Sequence, residues 1–183
     1  MSLTRYYTAA TLDGFIADPS HSLDWLFTRD QDHEGLLNYA EFIAGVGALA
    51  MGSSTFEWII RHEFADKDES EWKWPYDLPC WVFTSRPLQV VPEAQIDFVQ
   101  GDVASVHAAM VEAAGGKNVW LVGGGDLVGQ FADAGLLDEV IVYVAPVTLG
   151  SGAPLLPRRV ELRLEETGRN RDFVAARYSV VRG

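Results

Sequence analysis

Residues 119–144 read VWLVGGGDLVGQFADAGLLDEVIVYV, and this stretch decides the fold. Val119–Val122 is a short continuous apolar run, the mark of a buried strand, and it leads straight into Gly123-Gly124-Gly125. Leu127–Ala134 reads as a short helix, and Val140–Val144 as a second, continuously apolar strand. Strand, glycine turn, helix and strand in succession are the building unit of an α/β domain.

The same alternation extends upstream. Tyr6–Thr11 is a β-branched and aromatic run ended by the turn signal Asp13-Gly14. Asp30–Gly45 has helical spacing, with Leu36, Leu37, Tyr39, Ala40, Ile43 and Ala44 on one face. Ala48–Met51 reads as a buried strand closed by Gly52, and Ser54 followed by Glu57 has capping-box form at the start of another helix. The acid- and aromatic-rich stretch Arg61–Asp77, with Trp72, Trp74 and Tyr76, reads as a surface loop that lids a pocket or joins a subunit interface. Strands are expected at Pro79–Phe83 and Gln95–Val99, and a helix at Val103–Ala114 stopped by Gly115-Gly116. Downstream, Pro146–Pro157 reads as a loop. Val160–Thr167 and Phe173–Val181 read as an antiparallel hairpin turning over residues 168–172. Residues 1–183 are expected to form one α/β domain with a mostly parallel sheet.

Composition narrows the function. Twenty-six acids against fourteen Lys and Arg give a net charge of −12, the wrong sign for a nucleic-acid binder. No apolar run approaches a membrane span, and no secretory leader follows Met1, so no membrane and a cytoplasmic location are expected. Cys80 is the single cysteine, and His21, His33, His62 and His107 lack metal-ligand spacing, so no metal site is expected.

Three strand ends carry similar punctuation: Gly52-Ser53-Ser54-Thr55, Thr84-Ser85-Arg86, and Gly123-Gly124-Gly125 followed by Asp126 and Leu127. In open α/β sheets ligands collect at the carboxyl ends of strands, where helix N-termini offer free N–H groups and a positive dipole end to phosphates. Arg86 adds a permanently charged fork suited to a phosphomonoester. The glycine triplet does not have G-x-G-x-x-G spacing.

Five blocks, in order, carry a family resemblance. Tyr7-Thr8-Ala9-Ala10-Thr11-Leu12-Asp13-Gly14-Phe15-Ile16-Ala17 resembles the opening of the dihydrofolate reductase-like superfamily, and in particular the S-L-D-G-x-I-A opening of the riboflavin-biosynthesis reductase domain. Ala50–Glu57 is similar to its M-G-R-x-T-[YFW]-E segment, Val82–Pro87 to its strand ending in S-R, and Leu121–Gly125 to its second glycine turn. Gly135–Glu139 with Pro146–Leu155 is similar to the G-L-[IL]-D-E and P-x-x-L-G-x-G-x-P-L blocks of the riboflavin-type branch, the most specific of the five.

The resemblance implies a dihydrofolate reductase-like three-layer fold with a C-terminal antiparallel hairpin. It further implies a stand-alone NADPH-dependent reductase, a homodimer, acting on a small-molecule substrate. Carried over, Gly52, Ser53, Ser54 and Thr55 meet the cofactor phosphates, Ser85 and Arg86 the adenosine 2′-phosphate, and Gly123, Gly124 and Gly125 the pyrophosphate, with Asp126 and Leu127 following. Ala9, Ala10 and Ile16 lie beside the nicotinamide. Ser53 departs from the pattern, standing where the family usually has Arg or Lys.

Hydride transfer to a C=N bond is helped by a nearby acid. Asp30 follows Trp25 by five residues, the spacing of the dihydrofolate reductase carboxylate, with Asp32 and Glu34 as rivals and Asp13 placed to position loop or substrate. The same acids also suit a helix N-terminus electrostatically. Three readings stay open: reduction of a ribosylamino-pyrimidine, reduction of a folate, and NADPH binding without chemistry.

Overall fold

Apolar runs and glycine stops set the order of elements in the computed structural model, which describes residues 2–182. The first half holds β1 (Thr4–Thr11), β2 (Phe15–Ala17), α1 (Asp24–Phe27), α2 (Tyr39–Ala44), β3 (Val46–Gly52), α3 (Ser53–Phe64), β4 (Cys80–Phe83) and β5 (Ile96–Val99). There follow α4 (Val103–Ala113), β6 (Asn118–Gly123), α5 (Gly125–Asp133), β7 (Glu139–Ala145), β8 (Ala153–Pro154), β9 (Leu162–Asn170) and β10 (Phe173–Val180). Among the described residues eight strands form one sheet, ordered β5-β4-β3-β6-β1-β7-β10-β9. Every pairing from β5 to β7 is parallel, while β10 runs antiparallel to β7 and to β9. The mostly parallel sheet with a C-terminal antiparallel hairpin is therefore present.

Side chains alternate across a strand, and here both faces are covered. Tyr7, Leu49, Met51 and Trp120 point into one core with Phe42 of α2 and Phe56, Ile59 and Phe64 of α3. Their neighbours Tyr6, Ala48, Ala50, Val119 and Leu121 point into a second core with Val103 and Met110 of α4 and Val128 and Phe131 of α5. Burial on both faces is why β3 and β6 read as unbroken apolar runs rather than as alternating ones. The result is three layers, helix on sheet on helix.

The expected helix over Asp30–Gly45 is cut down to Tyr39–Ala44. Its apolar spacing is real, but the backbone groups that would build its first turns have tertiary partners instead. Asn170 accepts from Asp32 N at 2.8 Å and donates to Asp32 O at 3.0 Å. Tyr143 Oη donates to Leu36 O at 2.6 Å and Tyr7 Oη to Leu37 O at 3.1 Å. Leu37 takes a positive φ of 58°, and Asn38 then caps α2, accepting from Glu41 N at 2.9 Å.

Four further expectations shift. Helix α3 begins at Ser53 with Gly52 as its N-cap and no side-chain cap, so the Ser54/Glu57 capping box does not form; Glu57 is drawn off to Arg86. Arg61–Asp77 is not simply a surface loop. Helix α3 continues to Phe64, Glu69–Glu71 makes a 3₁₀ turn, and buried Trp74 packs on Phe56 with ring centroids 5.5 Å apart. Its acids Glu63, Asp66, Asp68, Glu69 and Glu71 are the exposed part. Within Pro146–Pro157, Ala153–Pro154 pairs with β2. At Gly152, φ is +146° and an added Cβ would stand 2.1 Å from Ala17 O, so only glycine lets these segments approach. The hairpin turns over just Arg171-Asp172, with Arg171 at φ 52°. Among the described residues no helix is long and apolar enough to cross a membrane.

Candidate active site

The parallel strands β3 and β6 each end in glycine and pass directly into α3 and α5, whose N-caps Gly52 and Gly124 have no side chain to cover the first helical N–H groups. The two turns lie side by side: an added Cβ on Gly52 would meet Gly123 O and Gly124 N at 3.9 Å, and one on Gly123 would meet Thr55 Oγ1 at 3.5 Å. The Gly123–Gly124 peptide is cis. Gly125 seats the third wall. Its missing side chain leaves room for Pro154 O and Leu155 O, which would stand 2.2 and 2.5 Å from a Cβ. These walls line an open cavity of about 1060 Å³, at the top of the range for ligand pockets.

Gly52, Ser53, Ser54, Thr55, Gly123, Gly124, Gly125, Asp126 and Leu127 all line the cavity, as do Ala9 and Ile16. Ala10 does not. Strand alternation turns it to the opposite face, where it is buried with Val142 and Ala176. Ser85 and Arg86 also lie outside the lining; at the end of β4 it is Phe83 that lines the cavity. Thr84 Oγ1 donates to Arg86 O at 2.8 Å and accepts from Arg86 N at 3.1 Å, closing a tight turn. The Arg86 guanidinium donates to Glu57 Oε2 at 2.6 Å. The carboxylate of Asp126 is likewise occupied, by Arg158 at 2.9 Å and Gln130 at 3.1 Å. Asp133 foremost, and Asp126 with it, hold the Arg158 guanidinium above its ordinary pKa.

The three residues expected to serve the chemistry are not brought together. Trp25 is buried in the first core, and its Nε1 has no partner. Asp30 lines the cavity but is exposed, and no helix starts there. Its N–H donates to Asp172 Oδ2 at 2.8 Å. Asp13 stays outside the lining. It accepts from the Thr11 hydroxyl at 2.6 Å and from the N–H groups of Leu149 and Gly150 at 3.0 and 2.7 Å, which tie the first turn to the loop after β7. These bonds, Thr11 foremost, hold its carboxyl below the usual carboxylate range. His107 packs between Thr4 Oγ1, 2.7 Å away, and Phe131, and burial lowers its pKa. The Cys80 thiol is pushed up to about 12, chiefly by burial, which leaves it inert as a nucleophile.

Sequence reasoning set Tyr76 at a pocket but missed the rest of a wall of rings. Tyr39, Tyr76, Trp120, Tyr143 and Phe173 line the cavity from five separate elements, with Arg29, Gln31, His21 and His33 beside them. Tyr39 and Tyr76 each meet Trp120, at 5.8 and 5.7 Å between centroids. The available signal was an aromatic interrupting each of two aliphatic strands, Trp120 in β6 and Tyr143 in β7. One cavity thus joins uncapped helix starts, suited to phosphate, to flat apolar faces suited to a heteroaromatic ring.

The RibD C-terminal domain matches residues 4–171. The chain belongs to that family. The "Uncharacterized protein YwjB" of Bacillus subtilis (strain 168) is 34% identical over 169 residues, covering 90% of each chain. Among solved structures, a putative riboflavin biosynthesis protein from Shewanella sp. PV-4 superposes with a TM-score of 0.79 at 24% identity, over 98% of this chain and 99% of that one. Dihydrofolate reductase from Enterococcus faecalis superposes at 0.57 and 14% identity over 97% and 96%, a likeness of fold. In RibD-domain terms, the opening block forms β1 and β2, the glycine blocks form the β3–α3 and β6–α5 turns, and the last block forms β7 and the loop that closes on Gly125. Family membership supports a reductase-type role.

Proposed function

We propose that the protein is an NADPH-dependent reductase of the riboflavin-biosynthesis reductase type, acting on a C=N bond or ribosylamine of a pyrimidine- or pterin-like substrate. The observation that carries this reading is the pair of uncapped helix starts at Ser53 and Gly125, set against each other in the cavity that the aromatic wall also lines.

The residues present fit the cofactor. Free N–H groups at the two helix starts, the Ser53, Ser54 and Thr55 hydroxyls, and glycines that leave room for close approach would hold its phosphates. Ala9 and Ile16 would bound the nicotinamide, and Arg86 would take up the 2′-phosphate by exchanging it for Glu57. When bound, the cofactor supplies the hydride. The chain's own part is binding, orientation and a proton. Tyr39, Tyr76 and Trp120 would orient a flat substrate and keep water from its faces. Of the two carboxylates lining the cavity, Asp126 is engaged by Arg158 and Gln130, which leaves Asp30 to pass a proton from solvent to the substrate nitrogen. The further proposals are one domain over residues 1–183, a cytoplasmic location, and a homodimer. The dimer is supported by a shallow apolar groove on the hairpin end of the sheet, lined by Val142, Leu155, Leu162 and Tyr178 among others, with Leu164 and Val174 exposed nearby.

The test is direct. NADPH should quench the emission of the six tryptophans, of which Trp58 and Trp120 line the cavity. Turnover then follows by NADPH absorbance with 5-amino-6-(5-phosphoribosylamino)uracil or dihydrofolate. Quenching without consumption would leave a binding module; no quenching by either nicotinamide cofactor sinks the reading.

A further inference from the structure

The chain after β8 comes up against α5 at two glycines one helical turn apart. An added Cβ on Gly125 would stand 2.2 Å from Pro154 O, and one on Gly129 would stand 2.7 Å from Arg158 Cγ. Glycine is a poor helix former, so its place at 129, in the middle of a helix, answers to the arginine that lies across it rather than to the helix itself.

From there Arg158 reaches both ends of α5. Its Nη2 donates to Asp126 Oδ1 in the first turn and its Nε to Asp133 Oδ2 at the last residue, each at 2.9 Å, while Nη1 donates to Pro157 O at 2.9 Å. Asp133 faces the negative end of the helix dipole, where a carboxylate is disfavoured without a cation. Asp126 poses a different problem. It lines the cavity beside the uncapped start of α5, where a carboxylate free to turn would repel a phosphate and compete with it for the same N–H groups. Both of its oxygens are engaged elsewhere: Oδ1 accepts from Arg158, and Oδ2 from Gln130 Nε2 at 3.1 Å. Arg158 itself stays outside the cavity lining and borders the apolar groove at the hairpin end of the sheet.

We propose that Arg158 is a positioning residue for a phosphate-bearing ligand: by drawing the Asp126 carboxylate aside, it keeps the start of α5 open to the anion without touching the ligand. The proposal rests on the dinucleotide reading for the identity of that ligand. It is separate from the part given to Arg86, which concerns the 2′-phosphate alone, because the pyrophosphate is common to NADPH and NADH.

Titration calorimetry with NADPH and with NADH is run on the wild type, Arg158→Met, Asp126→Asn and the double variant, with the Tm of each recorded separately. Arg158→Met keeps the stem over Gly129 and removes the charge. It should weaken both cofactors equally, by about 3- to 10-fold, since the freed carboxylate opposes the anion and takes up the helix dipole. The loss should shrink as salt rises, because the cluster is exposed. Adding Asp126→Asn should return affinity close to that of the wild type, although the ion pair is gone and Tm is no higher than in Arg158→Met. An arginine that merely supports the fold gives the opposite result, a double variant as weak as Arg158→Met. That outcome, an Arg158→Met protein of full affinity, or a loss confined to NADPH overturns the proposal. Arg158→Lys, alone and with Asp126→Asn, provides the same comparison should Arg158→Met not fold: the missing fork should cost affinity only while Asp126 is present. If the wild type binds neither nicotinamide cofactor, inorganic pyrophosphate is titrated into the same proteins. The same order of affinities then keeps this proposal and removes the dinucleotide reading, and no binding of pyrophosphate overturns both.

Discussion

On the proposed reading, cofactor choice turns on a contest for one arginine. Arg86 is bound to Glu57 at 2.6 Å, with the two side chains 56% and 32% exposed. A pair this open contributes about 0.2–1 kcal/mol. A hydrogen-bonded contact between Arg86 and a 2′-phosphate is worth about 1.5–3 kcal/mol, and exchanging Glu57 for it leaves a net gain of about 1–2 kcal/mol. Arg86→Ala should therefore weaken NADPH by roughly 5- to 30-fold and leave NADH unchanged. Glu57→Gln should work the other way. Freed from its partner, Arg86 binds the 2′-phosphate up to about five-fold more tightly, while NADH stays where it was. Tryptophan quenching titrations with both cofactors measure all four numbers, and raising the salt should shrink the NADPH advantage because the contact is exposed. Equal weakening of NADPH and NADH in Arg86→Ala, or weaker NADPH binding in Glu57→Gln, would refute the contest and place the 2′-phosphate elsewhere.

Three other outcomes are expected. Gly125→Ala puts a Cβ 2.2 Å from Pro154 O, and since backbone has to give way, the overpacking should cost about 1–3 kcal/mol. Calorimetry should show Tm falling by roughly 2–4 °C per kcal/mol, with cofactor binding weakened in parallel. Asp13 is held below its ordinary carboxylate pKa in the folded chain by Thr11, Gly150 and Leu149. Its stabilising effect is complete above the unfolded value near 4 and fades as pH falls through the lower folded value, so Asp13→Asn should flatten the acid limb of stability measured by denaturant melts. Leu164→Glu, on the exposed apolar face of the hairpin, should convert a dimer to a monomer in sedimentation velocity while leaving NADPH quenching intact.

The parallel sheet was legible because its strands are buried on both faces: β3, β6 and β7 announce themselves as apolar runs, the first two closed by glycine. The glycine turns were legible for a local reason too, since a strand end, a turn and a helix start are contiguous in sequence. What failed was non-local. The helix expected from Asp30 looked sound on its own spacing, and nothing near it shows that Asn170, 138 residues from Asp32, takes its backbone groups. Glu57 satisfies a capping-box pattern, yet its partner is an arginine 29 residues on. Trp25 and Asp30 keep a familiar interval, but the interval does not say that one faces the core and the other the cavity. Of the ring wall only Tyr76, in the segment before β4, was placed at a pocket; the other members come from β6, β7, β10 and α2, one residue at a time.

Asn170 and Asp172, at the tip of the last hairpin, clamp the loop that carries Arg29 and Asp30. The opposite wall of the cavity therefore has nothing to lean on until the last hairpin is in place. A chain halted before residue 162 would present both uncapped helix starts but an Asp30 loop without its anchor.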